Sequence, residues 1–168
     1  MDKFLRLIKK YNIIILVLLL SIIVYQRFML IKYENEVNSF NIIQYRQTQG
    51  IISNLEQNLA NTEESNESIY ISEAEKDIAY ILSTISPINQ QTKNIYEVIN
   101  HIYVYIFDLK QDIGEKTNNE DLETVITKLQ QLKEEMEPAY YRIGTKSSIV
   151  LTDEQRNNVF NILKQENQ

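Results

Sequence analysis

The chain has 168 residues, a formal net charge of −6, no Cys, three Gly and two Pro. That length accommodates one ordinary domain plus an anchor, and so few turn residues argue against an all-β sandwich and for helices. Without Cys there is no disulfide, zinc–thiolate site, thiol catalysis or lipoprotein attachment through an N-terminal Cys.

Residues 1–10 read as a short basic cytoplasmic tail, with Lys3, Arg6, Lys9 and Lys10 opposed only by Asp2. From Tyr11 to Gln26 no charge occurs. At about 1.5 Å per residue these sixteen positions cover roughly 24 Å, short of a ~30 Å hydrocarbon layer. Phe28, Met29, Leu30 and Ile31 resume the apolar run after Arg27. With the Arg27 head group snorkelling outward, residues 11–31 are long enough to span. Tyr11 and Tyr25 then fall at the two interfaces, with Ile14, Leu18 and Ile22 between them in the hydrocarbon. A stretch apolar on every face needs lipid or a large protein core around it, and a chain this small has little core to offer.

No small-residue cleavage pattern follows Ser21, so residues 11–31 read as an uncleaved signal anchor rather than a removed leader. The Gly-Phe cleavage point and following Glu of prepilin-like leaders are also missing. The excess of Lys and Arg before the span places the N-terminus inside and the C-terminal part outside the cell membrane. Removing the five Lys and Arg and the one Asp of residues 1–31 leaves 12 basic and 22 acidic residues in 32–168, a net charge of −10. Such acidity excludes nucleic acid as a partner and disfavours lying flat on anionic lipid.

Residues 32–168 read as an extracytoplasmic helical domain, with helices expected over about 32–60, 72–86, 87–113, 119–137 and 152–166. In the first, Val37, Phe40 and Ile43 make one apolar stripe and Ile51, Leu55 and Leu59 another. Gly50 between them is an expected weak point or bend. Residues 61–68 read as a polar loop. Ser72-x-x-Glu75 reads as a capping box opening the second helix, with Ala74, Ile78, Ile81, Leu82 and Ile85 on one face. Ser86-Pro87 fits an N-cap with Pro in the first turn; a kinked continuous helix through Pro87 is the alternative. Ile95, Ile99, Ile102, Ile106, Leu109 and Ile113 step by three and four, the spacing of a sustained helical stripe. Tyr96, Tyr103 and Phe107 run beside it, which places this helix at the centre, closed by Gly114 as C-cap. Leu122, Val125, Leu129, Leu132 and Met136 repeat the pattern up to Pro138. Residues 138–151 look irregular or extended. Thr152-x-x-Gln155 is a second capping box, leading to Val159, Phe160 and Leu163. No internal repeat at a fixed period is present.

The fold class expected is therefore all-α: an N-terminal transmembrane helix continuing into an extracytoplasmic antiparallel helical bundle. Short loops bring neighbouring helices back antiparallel, and the regular spacing would also suit a coiled coil or exchange between protomers.

Residues for chemistry are sparse. Glu97 lies one turn before the single His, His101, and Asp108 two turns after it, so the three could share a helix face. The Glu-x-x-His spacing of carboxylate-bridged iron bundles is missing, as are a nucleophile elbow, a P-loop and a dinucleotide fingerprint. The acids sit on what read as solvated helix faces. The expectation is no enzyme, no catalytic residue, no cofactor and no metal. Tyr is enriched, with eleven in the chain. Tyr140, Tyr141 and Arg142 lie outside the helical pattern and have the composition of an interface hot spot.

These readings point to a single-pass membrane protein of the interaction or scaffolding kind. Its partners would be the lipid bilayer and either another envelope protein or a second copy of itself. A short inner tail, a span and an outward helix resemble the layout of the small single-span division proteins of bacteria. A ligand-sensing module is the alternative, because the helical domain also resembles the outer domains of bacterial chemoreceptors. With about ten residues inside, it would have to signal through a partner membrane protein.

Overall fold

The computed structural model describes residues 2–61, 66–115, 121–136, 140–143, 146–149 and 151–164; side chains are described within 11–61, 66–112, 121–136 and 151–164. Among the described residues five helices carry the fold: α1 (Asp2–Ala60), α2 (Glu67–Thr84), α3 (Gln90–Glu115), α4 (Leu122–Glu135) and α5 (Asp153–Lys164). Between α4 and α5, strands β1 (Tyr140–Ile143) and β2 (Lys146–Ile149) pair antiparallel, with Tyr140 opposite Ile149 and Ile143 opposite Lys146. Within the stretch 138–151, read as irregular or extended, residues 140–143 and 146–149 are paired strands.

The chain divides into two units, Met1–Val37 and Asn38–Gln168. The first is a single helical segment whose described apolar side chains are all exposed except Val37, which is half-buried. Nothing in it interrupts the helix: its β-branched residues lower propensity only slightly, and Gly and Pro are absent. The Ser21 hydroxyl donates back to the Val17 carbonyl at 2.8 Å, so the one serine of the apolar run is satisfied within the helix.

The second unit has one core, drawn from every helix. Ile52, Leu55 and Leu59 of α1, Ile71, Ala74, Ile78 and Ile81 of α2, and Ile95, Val98, Ile99, Ile102, Ile106 and Leu109 of α3 are buried in it. Val125, Leu129 and Leu132 of α4 and Val159 of α5 complete it. At about 1.5–3 kcal/mol for each fully buried aliphatic side chain, the α3 stripe alone is a major share of the driving force.

Local chemistry explains most helix ends. Asp121 Oδ1 accepts from the Thr124 N–H at 2.7 Å and caps α4. That hydrogen bond holds the Asp121 carboxyl below its usual range. The expected capping box of α5 is present: Thr152 Oγ1 accepts from the Gln155 N–H, and Gln155 Oε1 accepts from the Thr152 N–H, both at 3.1 Å.

Five expectations need correction. The helix expected from Ser72 begins at Glu67, so Ser72 and Glu75 lie inside α2. The earlier start brings Ile71 into the core, and Glu75 is used instead in an ion pair with Lys110 at 2.7 Å. Ser86-Pro87 does not open α3. Residues 85–89 are a linker, and the cap is Asn89, whose Oδ1 accepts from the Thr92 N–H while Thr92 Oγ1 accepts from the Asn89 N–H. A kinked helix through Pro87 is likewise not formed, because Pro disfavours helical backbone at the residue before it. Gly114 does not end α3, which runs to Glu115.

The fifth correction concerns α1. Gly50 leaves the helix unbroken, and the stripe of Val37, Phe40 and Ile43 is not the buried face. Phe40 and Ile43 are 42% and 52% exposed, and Asn41, Gln44, Tyr45 and Thr48 are buried in their place. On α3, the second stripe is only partly covered: Tyr96 and Tyr103 are half-buried and Phe107 is exposed.

Candidate functional site

Three places in the molecule combine chemistry with an unusual environment. The first is the N-terminal unit. Tyr11, Ile14, Leu18, Ile22 and Tyr25, picked out by the sequence as membrane contacts, are all exposed along one face of the helix, and Ile13, Leu16, Leu20 and Ile23 on its other faces are exposed as well. The most apolar 18-residue window of α1 has a mean hydropathy of 2.5 and none of it is buried. Among the described residues this is the one helix long and apolar enough to cross a membrane. Left in water, each of these aliphatic side chains would forgo on the order of 1 kcal/mol or more of transfer free energy.

The second place is the polar cluster joining α3 to α5. Arg156 Nη1 donates to Asn94 Oδ1 at 3.2 Å and to Glu97 Oε2 at 3.3 Å, and lies 3.6 Å from Asp153 Oδ1. Asn94 Nδ2 donates to the Leu151 carbonyl and to Asp153 Oδ1. The guanidinium stands over the Phe160 ring, 6.0 Å from its centroid, and His101 stacks on the other contact of that ring at 3.8 Å. His101 Nδ1 is 2.8 Å from the Glu97 carbonyl, which can only accept, so Nδ1 carries the proton. The sequence suggested a shared face for Glu97, His101 and Asp108. The structure commits the Glu97 carboxylate to Arg156 and Lys93, and leaves Asp108 exposed. Among the described residues no group of three His, Asp or Glu is placed to hold a metal ion. The arrangement works as a clamp that fixes α5 to α3 across 59 residues of sequence. Neither Asn94 nor Arg156 carried a periodicity signal that would have singled it out.

The third place is the polar face of α1. Asn41 Nδ2 donates to the Ser86 carbonyl at 3.0 Å, and Asn89 Nδ2 donates to Asn38 Oδ1 at 2.8 Å. Asn41 Oδ1, Gln44 Oε1 and the Tyr45 hydroxyl are buried without any hydrogen-bond partner. Burial pushes the Tyr45 phenol far above its ordinary range, and the nearby Glu135 carboxylate adds to the shift. The Thr48 hydroxyl donates back to the Gln44 carbonyl of its own helix at 3.0 Å. Spacings of three and four put residues 41, 44, 45 and 48 on one helix face. The signal was therefore readable as a polar stripe, but hydrophobic periodicity ranks it as the solvated side.

Farther along α1 the contacts change character. Glu56 Oε1 accepts from Gln130 Nε2 at 3.1 Å and Glu56 Oε2 from Lys133 Nζ at 3.2 Å. The Gln130 hydrogen bond is the largest effect and holds the Glu56 carboxyl below its ordinary value; burial pushes it up, and the Lys133 hydrogen bond and charge add smaller downward contributions. Tyr140, Tyr141 and Arg142 form most of β1, opposite Ile149, Ser148 and Ser147; their side chains lie outside those described. No family model, curated protein or solved structure matches the chain.

Proposed function

We propose that this chain is a single-pass membrane protein whose acidic outer part, an antiparallel helical bundle, works by binding another envelope protein or a second copy of itself. The observation that carries the reading is the apolar helix over residues 11–31, whose apolar side chains are exposed on every face and covered by none of the described residues. Lipid is the environment that stabilises such a helix. The Lys and Arg before the span favour an inner N-terminus and an outer C-terminal part.

Exposed apolar side chains on the outer unit support an interaction role. Phe40 and Ile43 on α1, Tyr80 on α2, and Val104 and Phe107 on α3 are open on its surface. Scattered single residues of this kind are ordinary on protein surfaces, so these count as available anchors rather than as a mapped interface. The test is cross-linking of the tagged full-length chain in native membranes, followed by mass spectrometry. One dominant partner protein, or the chain itself, is the expected product. Recovery of uncross-linked monomer at reagent levels that capture a known membrane complex would contradict the interaction reading.

A further inference from the structure

The outer part of α1 is held in two different ways on the two sides of Gly50. Beyond it, Ile52, Leu55 and Leu59 are buried in the common core. Before it, the buried face is Asn41, Gln44, Tyr45 and Thr48, and only the Tyr45 ring joins that core. Three buried polar atoms on this face, Asn41 Oδ1, Gln44 Oε1 and Tyr45 Oη, have no partner, while Phe40 and Ile43 on the other side of the same turns are exposed. An unpartnered buried donor or acceptor forfeits its hydration without recompense, and an exposed aromatic or aliphatic side chain forgoes burial. The segment is therefore docked against the preference of both its faces.

Across this stretch the contacts of α1 with other elements include Asn38 to Asn89, Asn41 to the Ser86 carbonyl, and Gln49 to the Lys133 carbonyl at 3.5 Å. Gly50 sits at the boundary. A Cβ there would meet nothing within 4 Å, so packing does not require glycine at this position. What remains is the conformational freedom glycine brings to a helix interior.

We propose that residues 41–48 of α1 form a latch that opens about Gly50 while the core beyond it stays folded. Opening hydrates the three unpartnered atoms and frees Phe40 and Ile43 to turn towards a new contact. The inference concerns the outer unit alone and holds whether or not the span enters a membrane.

The absence of Cys makes the test direct. In the full-length chain in mild detergent, Thr48→Cys, Ala74→Cys and Ile43→Cys are each labelled with a maleimide under native conditions. Ile43→Cys reports an exposed site and Ala74→Cys a core site. Local opening predicts that Thr48→Cys reacts at least about 100-fold faster than Ala74→Cys and far more slowly than Ile43→Cys. Rates for Thr48→Cys and Ala74→Cys within about threefold of each other would mean exposure only by global unfolding, and would overturn the latch. Gln44→Cys provides the same comparison should Thr48→Cys misfold. In the labelled background, Tyr45→Phe removes an unpartnered hydroxyl and should slow the reaction by about fivefold or more. Faster labelling would show that the hydroxyl holds the segment down and would count against the proposal. Gly50→Ala should slow labelling by about fivefold, and an unchanged rate would overturn the hinge.

Discussion

Residues 41–48 and 52–59 belong to the same helix and the same unit, yet they meet that unit by opposite chemistry. The later segment places Ile52, Leu55 and Leu59 against the core, with Glu56 tied to Gln130 and Lys133 at its margin. The earlier one buries amides and a phenol and turns its apolar residues out. Burial along a helix is thus decided by what lies opposite. The Ser86 carbonyl and the Asn89 side chain offer polar partners to residues 38–41, whereas the Ile and Leu side chains of the core offer none to residues 52–59.

The contrast can be broken most forcefully by charge. Leu55→Asp would put an unpaired carboxylate into the core and should unfold the second unit, a loss of more than about 4 kcal/mol. Phe40→Asp, at an exposed position, should change stability by less than about 0.5 kcal/mol. Ile102→Asp and Ile106→Asp on α3 should behave like Leu55→Asp, because both residues are fully buried. Thermal melts followed by far-UV circular dichroism read all four. A cooperative melt retained by Leu55→Asp would show that the later segment is not docked as described.

Truncation sharpens the same comparison. Leu59→Ala should cost about 2–4 kcal/mol through lost transfer free energy and a residual cavity, whereas Ile43→Ala should stay within about 0.5 kcal/mol. Denaturant titration distinguishes them, provided that the slopes match. Gly50→Ala should raise stability by about 0.5–1 kcal/mol, since the added methyl meets no neighbour and glycine is a poor helix former.

The smallest effect is on acid sensitivity. Glu56 is bound more tightly as a carboxylate in the folded chain than its ordinary value of 4.5 implies. Its contribution is therefore complete above that value and is lost as pH falls through the lower folded one. Glu56→Gln should remove that part of the acid destabilisation, less than about 1 kcal/mol, and leave stability near pH 4 closer to that at pH 7. Melts of the variant and the parent at the two pH values measure it. An unchanged pH dependence would mean that the Gln130 and Lys133 contacts do not act on this carboxyl.

Sequence periodicity recovered the elements where one face is apolar and its partner is too. The stripes of α3 and α4 and the capping box of α5 were legible because each depends on residues three and four apart. The start of α2 was not, because Ser72 and Glu75 have capping chemistry but Ile71, just before them, is needed in the core. The Asn89–Thr92 cap was overshadowed by the stronger signal of Ser86-Pro87. The face of α1 before Gly50 was misread for the reason already given: its partners are a backbone carbonyl and an amide, which leave no trace in hydrophobic spacing. The Arg156 cluster and the pairing of Glu56 with α4 join residues more than fifty apart in sequence, a distance at which a single chain's pattern holds no information. The long apolar N-terminal helix was legible because it depends only on a run of residues 11–31 in which Arg27 is the single charge.

The most direct test of membrane anchoring with an outer helical domain uses one cysteine. Tyr80 is 71% exposed on α2, and the chain has no other thiol. Cells expressing full-length Tyr80→Cys are treated with a membrane-impermeant maleimide, before or after lysis, and their membranes are washed at alkaline pH. Anchoring with an outer domain predicts full labelling in intact cells, on a chain that stays in the washed membranes. Labelling only after lysis, or release of the chain by the alkaline wash, would contradict it.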